Sequence, residues 1–302
     1  MTARGRRFLV RLVTTLVAGL AGILTAAALP ATAHAVGIGQ YVALGDSYAA
    51  GQGGSAPGDY LNDCLQSPNG YPALLDAENQ IHLRANAACT GATTSDVAEE
   101  QLSALKQGTR LVTLTVGAAD LGLSEVLAAC TAVPPTECQT AINNALALLA
   151  VSPGGESVLG GRLTDLYAEV ADAAPNALIV VTGYPLQFEL VQGDPNFALK
   201  AQINSATAAL NLTIKTAVKS AQNSGINIVY ADVTAAFDDH GIGGSGVSFI
   251  NPPEAGTNAF HPTPAGYVAY AAAISAVLPS SWGESRSRSP NSSYRAGWSC
   301  PR

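Results

Sequence analysis

Two side chains, Ser47 and His261, define the chemistry this chain could attempt. Ser47 stands in Gln40-Tyr41-Val42-Ala43-Leu44-Gly45-Asp46-Ser47-Tyr48-Ala49-Ala50-Gly51, an apolar strand-like run that breaks into Gly-Asp-Ser and then a glycine-containing turn. His261 stands in Phe260-His261-Pro262-Thr263-Pro264-Ala265-Gly266-Tyr267, on a loop just ahead of a helical pattern. Ester hydrolysis by serine needs a base for the hydroxyl proton, a group that holds that base in the correct tautomer, and N–H donors where the oxyanion develops. Serine and imidazole are candidates for the first part of that machinery. Each also has an ordinary reading: Gly-Asp-Ser makes a turn or helix cap, and a histidine ahead of a helix packs or caps. The other histidines beyond the leader, His82 and His240, lie in a strand pattern and a Gly-rich loop.

The elements that must position these residues read as an α/β alternation. Apolar runs suited to buried parallel strands recur at 41–44, 111–116, 177–182 and 226–230, with a weaker one at 81–85. Helical patterns fall between or after them at 71–78, 94–107, 138–150, 157–174, 196–224 and 264–277, several opened by Ser, Thr, Asn or Pro. This rhythm predicts a single α/β domain whose parallel sheet is covered on both faces. Ligands in such sheets gather outside the carboxyl ends of the strands, which is where Ser47 falls. Two loops rich in Gly and Pro, 52–69 after the serine and 238–257 before the histidine, have the length of functional rims or lids.

Residues 1–35 read as an export signal, with Arg4, Arg6, Arg7 and Arg11 ahead of or at the edge of an apolar run over 8–29, then Ala33-His34-Ala35 as a cleavage site. The run could span a bilayer, so an uncleaved anchor is the alternative; small residues in its second half and the adjoining cleavage site favour removal. Arg6-Arg7 permits a twin-arginine route without establishing it. The domain is then expected over 36–279, and 280–302, rich in Ser, Arg, Pro and Gly, is expected to be a disordered tail. The whole chain carries 15 basic and 22 acidic residues; loss of the four leader arginines leaves 11 against 22, a net charge of −11. That balance argues against nucleic acid as a partner and against strong attraction to anionic membranes. No stable membrane insertion is expected after cleavage, and a secreted monomer is the expectation. Five cysteines in an exported chain without a Cys-x-x-Cys read as disulfides rather than metal ligands. Cys130 and Cys138 bracket Pro134-Pro135 and are expected to pair, as are Cys64 and Cys89; this is a preference among three connectivities, with Cys300 left over.

Four blocks in order carry a resemblance: Gly45-Asp46-Ser47-Tyr48, Ala88-Cys89-Thr90-Gly91-Ala92-Thr93, Thr115-Val116-Gly117-Ala118-Ala119-Asp120, and Phe260 to Gly266. Together they resemble the SGNH (GDSL) hydrolase family, and more narrowly its secreted actinobacterial esterases and lipases, over about residues 40–278. The rival α/β-hydrolase pattern requires Gly-x-Ser-x-Gly, and Ser47 is followed by Tyr48 and Ala49. The resemblance implies a three-layer α/β/α domain with a mostly parallel, flavodoxin-like sheet. It implies Ser47 as nucleophile and, through its N–H, one oxyanion donor, Gly91 as a second, and His261 as general base. No metal or organic cofactor is implied, and the substrate would be a small-molecule or lipid ester.

Two positions depart from the family pattern. The third block of the family reads Gly-x-Asn-Asp, with the Asn amide donating to the oxyanion, whereas Ala119 has no such donor. Loss of one comparable donor slows turnover by about 10² to 10³, so a slow enzyme is expected. Three residues before the base, where much of the family has Asp, this chain has Asn258. Asn258 is a candidate orienter of His261 or a loop residue making a local turn; resemblance to members that use a backbone carbonyl instead makes a Ser47–His261 dyad the other arrangement. The two departures motivate a second reading, a non-catalytic relative that binds an acyl or glycan ligand.

Overall fold

The five apolar runs form β1 Ile38–Gly45, β2 Ile81–Asn86, β3 Leu111–Thr115, β4 Leu178–Thr182 and β5 Ile228–Ala231. The computed structural model describes residues 38–78, 81–131, 137–151 and 155–283. The expected signal over 1–35, Cys300 and most of the expected tail lie outside them. All strand pairs are parallel, in the order β2-β1-β3-β4-β5, which is the flavodoxin-like arrangement. Every residue of β3 and β4 is buried, so these strands read as near-continuous apolar runs. Edge strand β2 buries only Ile81 fully, which explains its weak signal.

Nine α-helices lie among the described residues: α1 Ser47–Ala50, α2 Tyr71–Glu78, α3 Thr94–Asp96, α4 Leu123–Thr131, α5 Cys138–Leu149, α6 Val158–Ala173, α7 Phe197–Asn223, α8 Pro264–Ser275 and α9 Ser280–Gly283. Helices α2 and α8 pack together, and α6 packs on α7 with α5 against both. The right-handed crossover rule puts α2 on one face of the sheet and α6 and α7 on the other, giving three layers.

Three local features depart from the sequence expectation. The helix expected over 94–107 breaks up: α3 passes into a wider π-type turn at Val97–Gln101 and a 3-10 turn at Leu102–Ala104. Gln101 at the end of the wide turn is buried and bonded to Gly45, so a tertiary contact replaces regular helix there. Helix α4 was not expected, although its buried Leu123, Val126, Leu127 and Cys130 follow the i, i+3, i+4, i+7 spacing of an amphipathic helix. Order also continues four residues past 279, in α9, where Trp282 packs against the core. Disulfides join Cys64 to Cys89 and Cys130 to Cys138. No described helix is long and apolar enough to cross a membrane.

The chain leaves β1 for β2 on one side and returns past β1 to β3, so strand order reverses between β1 and β3. A crevice opens outside their carboxyl ends at such a point. Gly45, the last residue of β1, faces Thr115, the last of β3. Its φ is +127°, and a Cβ there would lie 2.0 Å from Thr115 O. Only glycine lets the two strands approach this closely and releases the chain toward Asp46 and Ser47.

Candidate active site

The segment carrying Ser47 is fixed before the serine is reached. Gln101 is 4 % exposed; its Oε1 accepts from Gly45 N–H at 2.7 Å and its Nε2 donates to Gly45 O at 2.9 Å, satisfying both polar groups of the strand's last residue. Asp46 N–H donates to Thr115 O at 2.9 Å. The Asp46 carboxylate caps α1 by accepting from Tyr48 N–H at 3.0 Å, and its other oxygen accepts from Tyr184 Oη at 2.5 Å. Burial pushes Asp46 up to about 7, against the opposing pull of these bonds. Ser47 therefore begins a helical turn whose entry is set by a buried carboxylate.

His261 comes to the serine from the loop before α8. Its Nε2 lies 2.8 Å from Ser47 Oγ, and its Nδ1 lies 2.8 Å from Ala259 O. A carbonyl can only accept, so Nδ1 carries the proton and neutral Nε2 is left to accept from the hydroxyl. Asn258 does not orient the ring: its Oδ1 accepts from Tyr60 Oη at 2.5 Å and its Nδ2 donates to Ser55 O at 2.8 Å. That amide braces the 52–69 loop against the histidine loop, and a main-chain carbonyl takes the place a carboxylate would fill. Half-buried without an anionic partner, the imidazole is pushed down to about 4 by desolvation, partly offset by the Ala259 and Asn258 carbonyls. Phe260, just before it, has φ +64°, a conformation rare for a bulky residue. Tyr48 Oη donates to Phe260 O at 2.7 Å and Phe260 N–H donates to Asn251 O at 2.9 Å, holding the bend. These contacts join α1 directly to the histidine loop.

Among the described residues, the backbone N–H groups of Ser47 and Gly91 have no protein acceptor, while those of Asp46, Tyr48, Cys89, Thr90 and Ala92 around them are all taken. Gly91 has φ +78° with open space where a Cβ would stand, so its backbone conformation rather than crowding favours glycine. Ser47, Gly91, Ala119 and His261 all line one cavity of about 390 Å³, which puts the four sequence blocks at a single place. Ala119 brings only a methyl group to it. The walls include Leu123 and Leu127 of α4, Ala118, and rim residues Pro253, Gly256 and Thr257. Among the described residues no lysine or arginine lines this cavity; Arg162 is 3.5 Å from Asp120, in a separate depression that shares Ala119 as a wall. Among the described residues no group of three or more His, Cys, Asp or Glu is arranged to hold a metal. Gln101, Tyr184, Leu123 and Leu127 are not among the residues to which the sequence blocks point. The spacing of α4 could have given the last two, but no sequence signal marks a buried Gln bonded to a strand end.

Comparison with known proteins gives a consistent result. Residues 43–269 match the GDSL-like Lipase/Acylhydrolase family. Lipase 1 of Streptomyces coelicolor is 33% identical over 271 residues, 86% of this chain and 95% of that protein. The crystal structure of phospholipase A1 from Streptomyces albidoflavus superposes with a TM-score of 0.69 at 34% identity, over 80% of this chain and 99% of the other. That of the extracellular lipase from Streptomyces rimosus gives the same TM-score, 0.69, at 29% identity, over 80% of this chain and all of the other.

Proposed function

Because the chain belongs to the GDSL-like lipase/acylhydrolase family and is a carboxylic ester hydrolase, we propose that it is a secreted monomeric serine esterase or lipase working through an acyl-enzyme on Ser47. The observation that carries this reading is the 2.8 Å contact between Ser47 Oγ and His261 Nε2 beside two free N–H donors. Ser47 Oγ attacks the ester carbonyl carbon while His261 Nε2 takes the hydroxyl proton. The carbonyl oxygen becomes an oxyanion held by the N–H groups of Ser47 and Gly91. Collapse breaks the bond to the alcohol, which leaves with the proton from His261. Water then gives its proton to His261 and attacks the acyl-serine; a second collapse returns that proton to Ser47 Oγ and frees the acid. Ala259 O holds the imidazolium's Nδ1–H throughout but, being neutral, stabilises it less than a carboxylate would. With two donors instead of three, the enzyme is slow on ordinary esters, by the 10² to 10³ or so that one donor is worth. None of these steps calls on a metal or cofactor.

The cavity also bears on substrate. Its volume is at the lower end of the range of about 300 to 1,000 Å³ for small-molecule sites, and its apolar walls suit a short or medium acyl chain. Among the described residues no cation lines the cavity to pair a phosphate, so neutral esters and glycerides fit better than phospholipids. The function is tested with an alkyl fluorophosphonate on the folded mature protein. Labelling should fall on Ser47 alone and be lost in His261→Ala; a protein that is folded yet unlabelled would fit the acyl- or glycan-binding alternative.

The depressed imidazole makes a second prediction. His261 must be neutral to act as base, so kcat/KM should stay flat from neutral pH downward and fall with an acid-limb midpoint near 4, where an ordinary histidine would give about 6.5. Asp46, next to Ser47, has been pushed up into the same range, and the Asp46→Asn profile separates its titration from that of His261. A midpoint near 6.5 that survives Asp46→Asn would show that the ring is solvated and that burial does not set its basicity.

A further inference from the structure

We propose that Gln52 is a positioning residue, a strap that sets the N–H of Gly91 and the ring of His261 relative to Ser47; the proposal rests on the roles given to those three residues above. Gln52 is 5 % exposed and lines the catalytic cavity. Its N–H donates to Ser47 O at 3.0 Å, and its carbonyl accepts from Tyr267 Oη of α8 at 2.7 Å, so its main chain is tied to the nucleophile's turn and to the core. Its carboxamide reaches two further segments. Oε1 accepts from Thr90 Oγ1 at 2.5 Å, the residue next to Gly91, and Nε2 donates to Thr257 O. The two residues after Thr257 are Asn258 and Ala259, whose carbonyls accept from His261 N–H and Nδ1–H. One residue thus spans the serine turn through its main chain and the glycine and histidine loops through its side chain.

Only a carboxamide accepts on one side and donates on the other at this length; an ionised carboxylate lacks the donor, and a thioether lacks the donor and is only a weak acceptor. The loop needs such a strap because Gly91 has no side chain of its own to anchor it. Upstream, Cys89 N–H is held by Gly45 O and Thr90 N–H by Cys64 O, but Gly91 N–H is left free for the oxyanion. With Ala119 in place of a third donor, turnover depends on two N–H groups being correctly placed. A misplacement of about 1 Å in a catalytic site can cost about 10² in rate.

The test measures kcat and KM on p-nitrophenyl butyrate for wild type, Gln52→Met, Thr90→Val, Thr90→Ser and the double variant Gln52→Met/Thr90→Val, with Tm and the rate of fluorophosphonate labelling of Ser47 for each. Gln52→Met and Thr90→Val should each lower kcat by about 10- to 100-fold while KM stays within about twofold. Thr90→Ser, which keeps the hydroxyl, should recover most of the rate. The double variant should be no slower than the worse single, because both substitutions break the same strap. Full kcat in Thr90→Val, losses that multiply in the double variant, or losses that follow a fall in Tm would each overturn the role of Gln52. Those outcomes leave the proposed function standing, because wild-type turnover and labelling at Ser47 report on it separately.

Discussion

Replacing Ser47 by alanine lowers ester turnover by about 10³ to 10⁴, a smaller loss than a fully equipped serine hydrolase suffers. Removing the nucleophile of a complete site costs about 10⁶ in kcat. On the proposed mechanism this chain starts lower, because Ala119 would leave the oxyanion one donor short, a deficit of about 10² to 10³. Taking the variant's residual hydrolysis as independent of the oxyanion donors, the gap between wild type and the variant shrinks by that amount. Stability should hardly change: the entry into α1 is set by Gly45, Gln101 and the Asp46 cap, and Ser47 Oγ touches the fold through His261 alone among the contacts described. His261→Ala should lose as much, and the double variant no more than either single, because the two side chains perform one proton transfer. The measurement is p-nitrophenyl ester hydrolysis by purified mature protein, with Tm recorded alongside. Equal rates in wild type and Ser47→Ala would end the reading of Ser47 as nucleophile, whatever the geometry.

The division between what the sequence makes legible and what it hides follows from the range of the interactions. β3 and β4 could be read because a strand buried on both faces must be apolar along its whole length. Ser47 could be placed because a glycine that alone permits close strand approach marks where β1 ends. The four blocks named the residues that now line one cavity, but not how they are held there. Asn258 shows the limit: its position three residues before His261 suggests an orienter, yet an amide can turn either way, and Tyr60 and Ser55, roughly two hundred positions earlier, decide that it braces a loop instead. The single side chains of Gln101 and Gln52 meet backbone far away in sequence, at Gly45 and Thr257, and no local periodicity reports such contacts. Helix α4 is different, since its apolar spacing was present and only the adjoining Gly- and Ala-rich turn obscured where it begins.

The same reasoning makes Ala119→Asn the most informative gain of function. Ala119 lines the cavity with Ser47, Gly91 and His261, in a turn already ordered by Gly122 N–H bonding to Ala119 O and by Tyr184 Oη accepting from Ala118 N–H at 3.2 Å. The backbone that would present an asparagine amide is therefore in place. An added donor acts where charge develops, so kcat should rise while KM changes little. A gain of about 10- to 100-fold is expected, short of the 10² to 10³ lost when an evolved donor is removed, because a newly introduced side chain lacks the packing that fixes its rotamer. The alternative direction for that amide is the neighbouring depression, where Thr94, Asp120 and Arg162 offer polar partners and Ala119 is again a wall. The two placements separate kinetically. An amide in the catalytic cavity raises kcat and speeds fluorophosphonate labelling of Ser47, whose phosphoryl oxygen occupies the oxyanion position. An amide turned to the depression leaves both rates unchanged, and Ala119→Asp, which carries no donor when ionised, serves as the control that must not gain. A rise in kcat for asparagine but not aspartate would identify the missing hydrogen bond, rather than pocket volume, as what holds this enzyme's rate down.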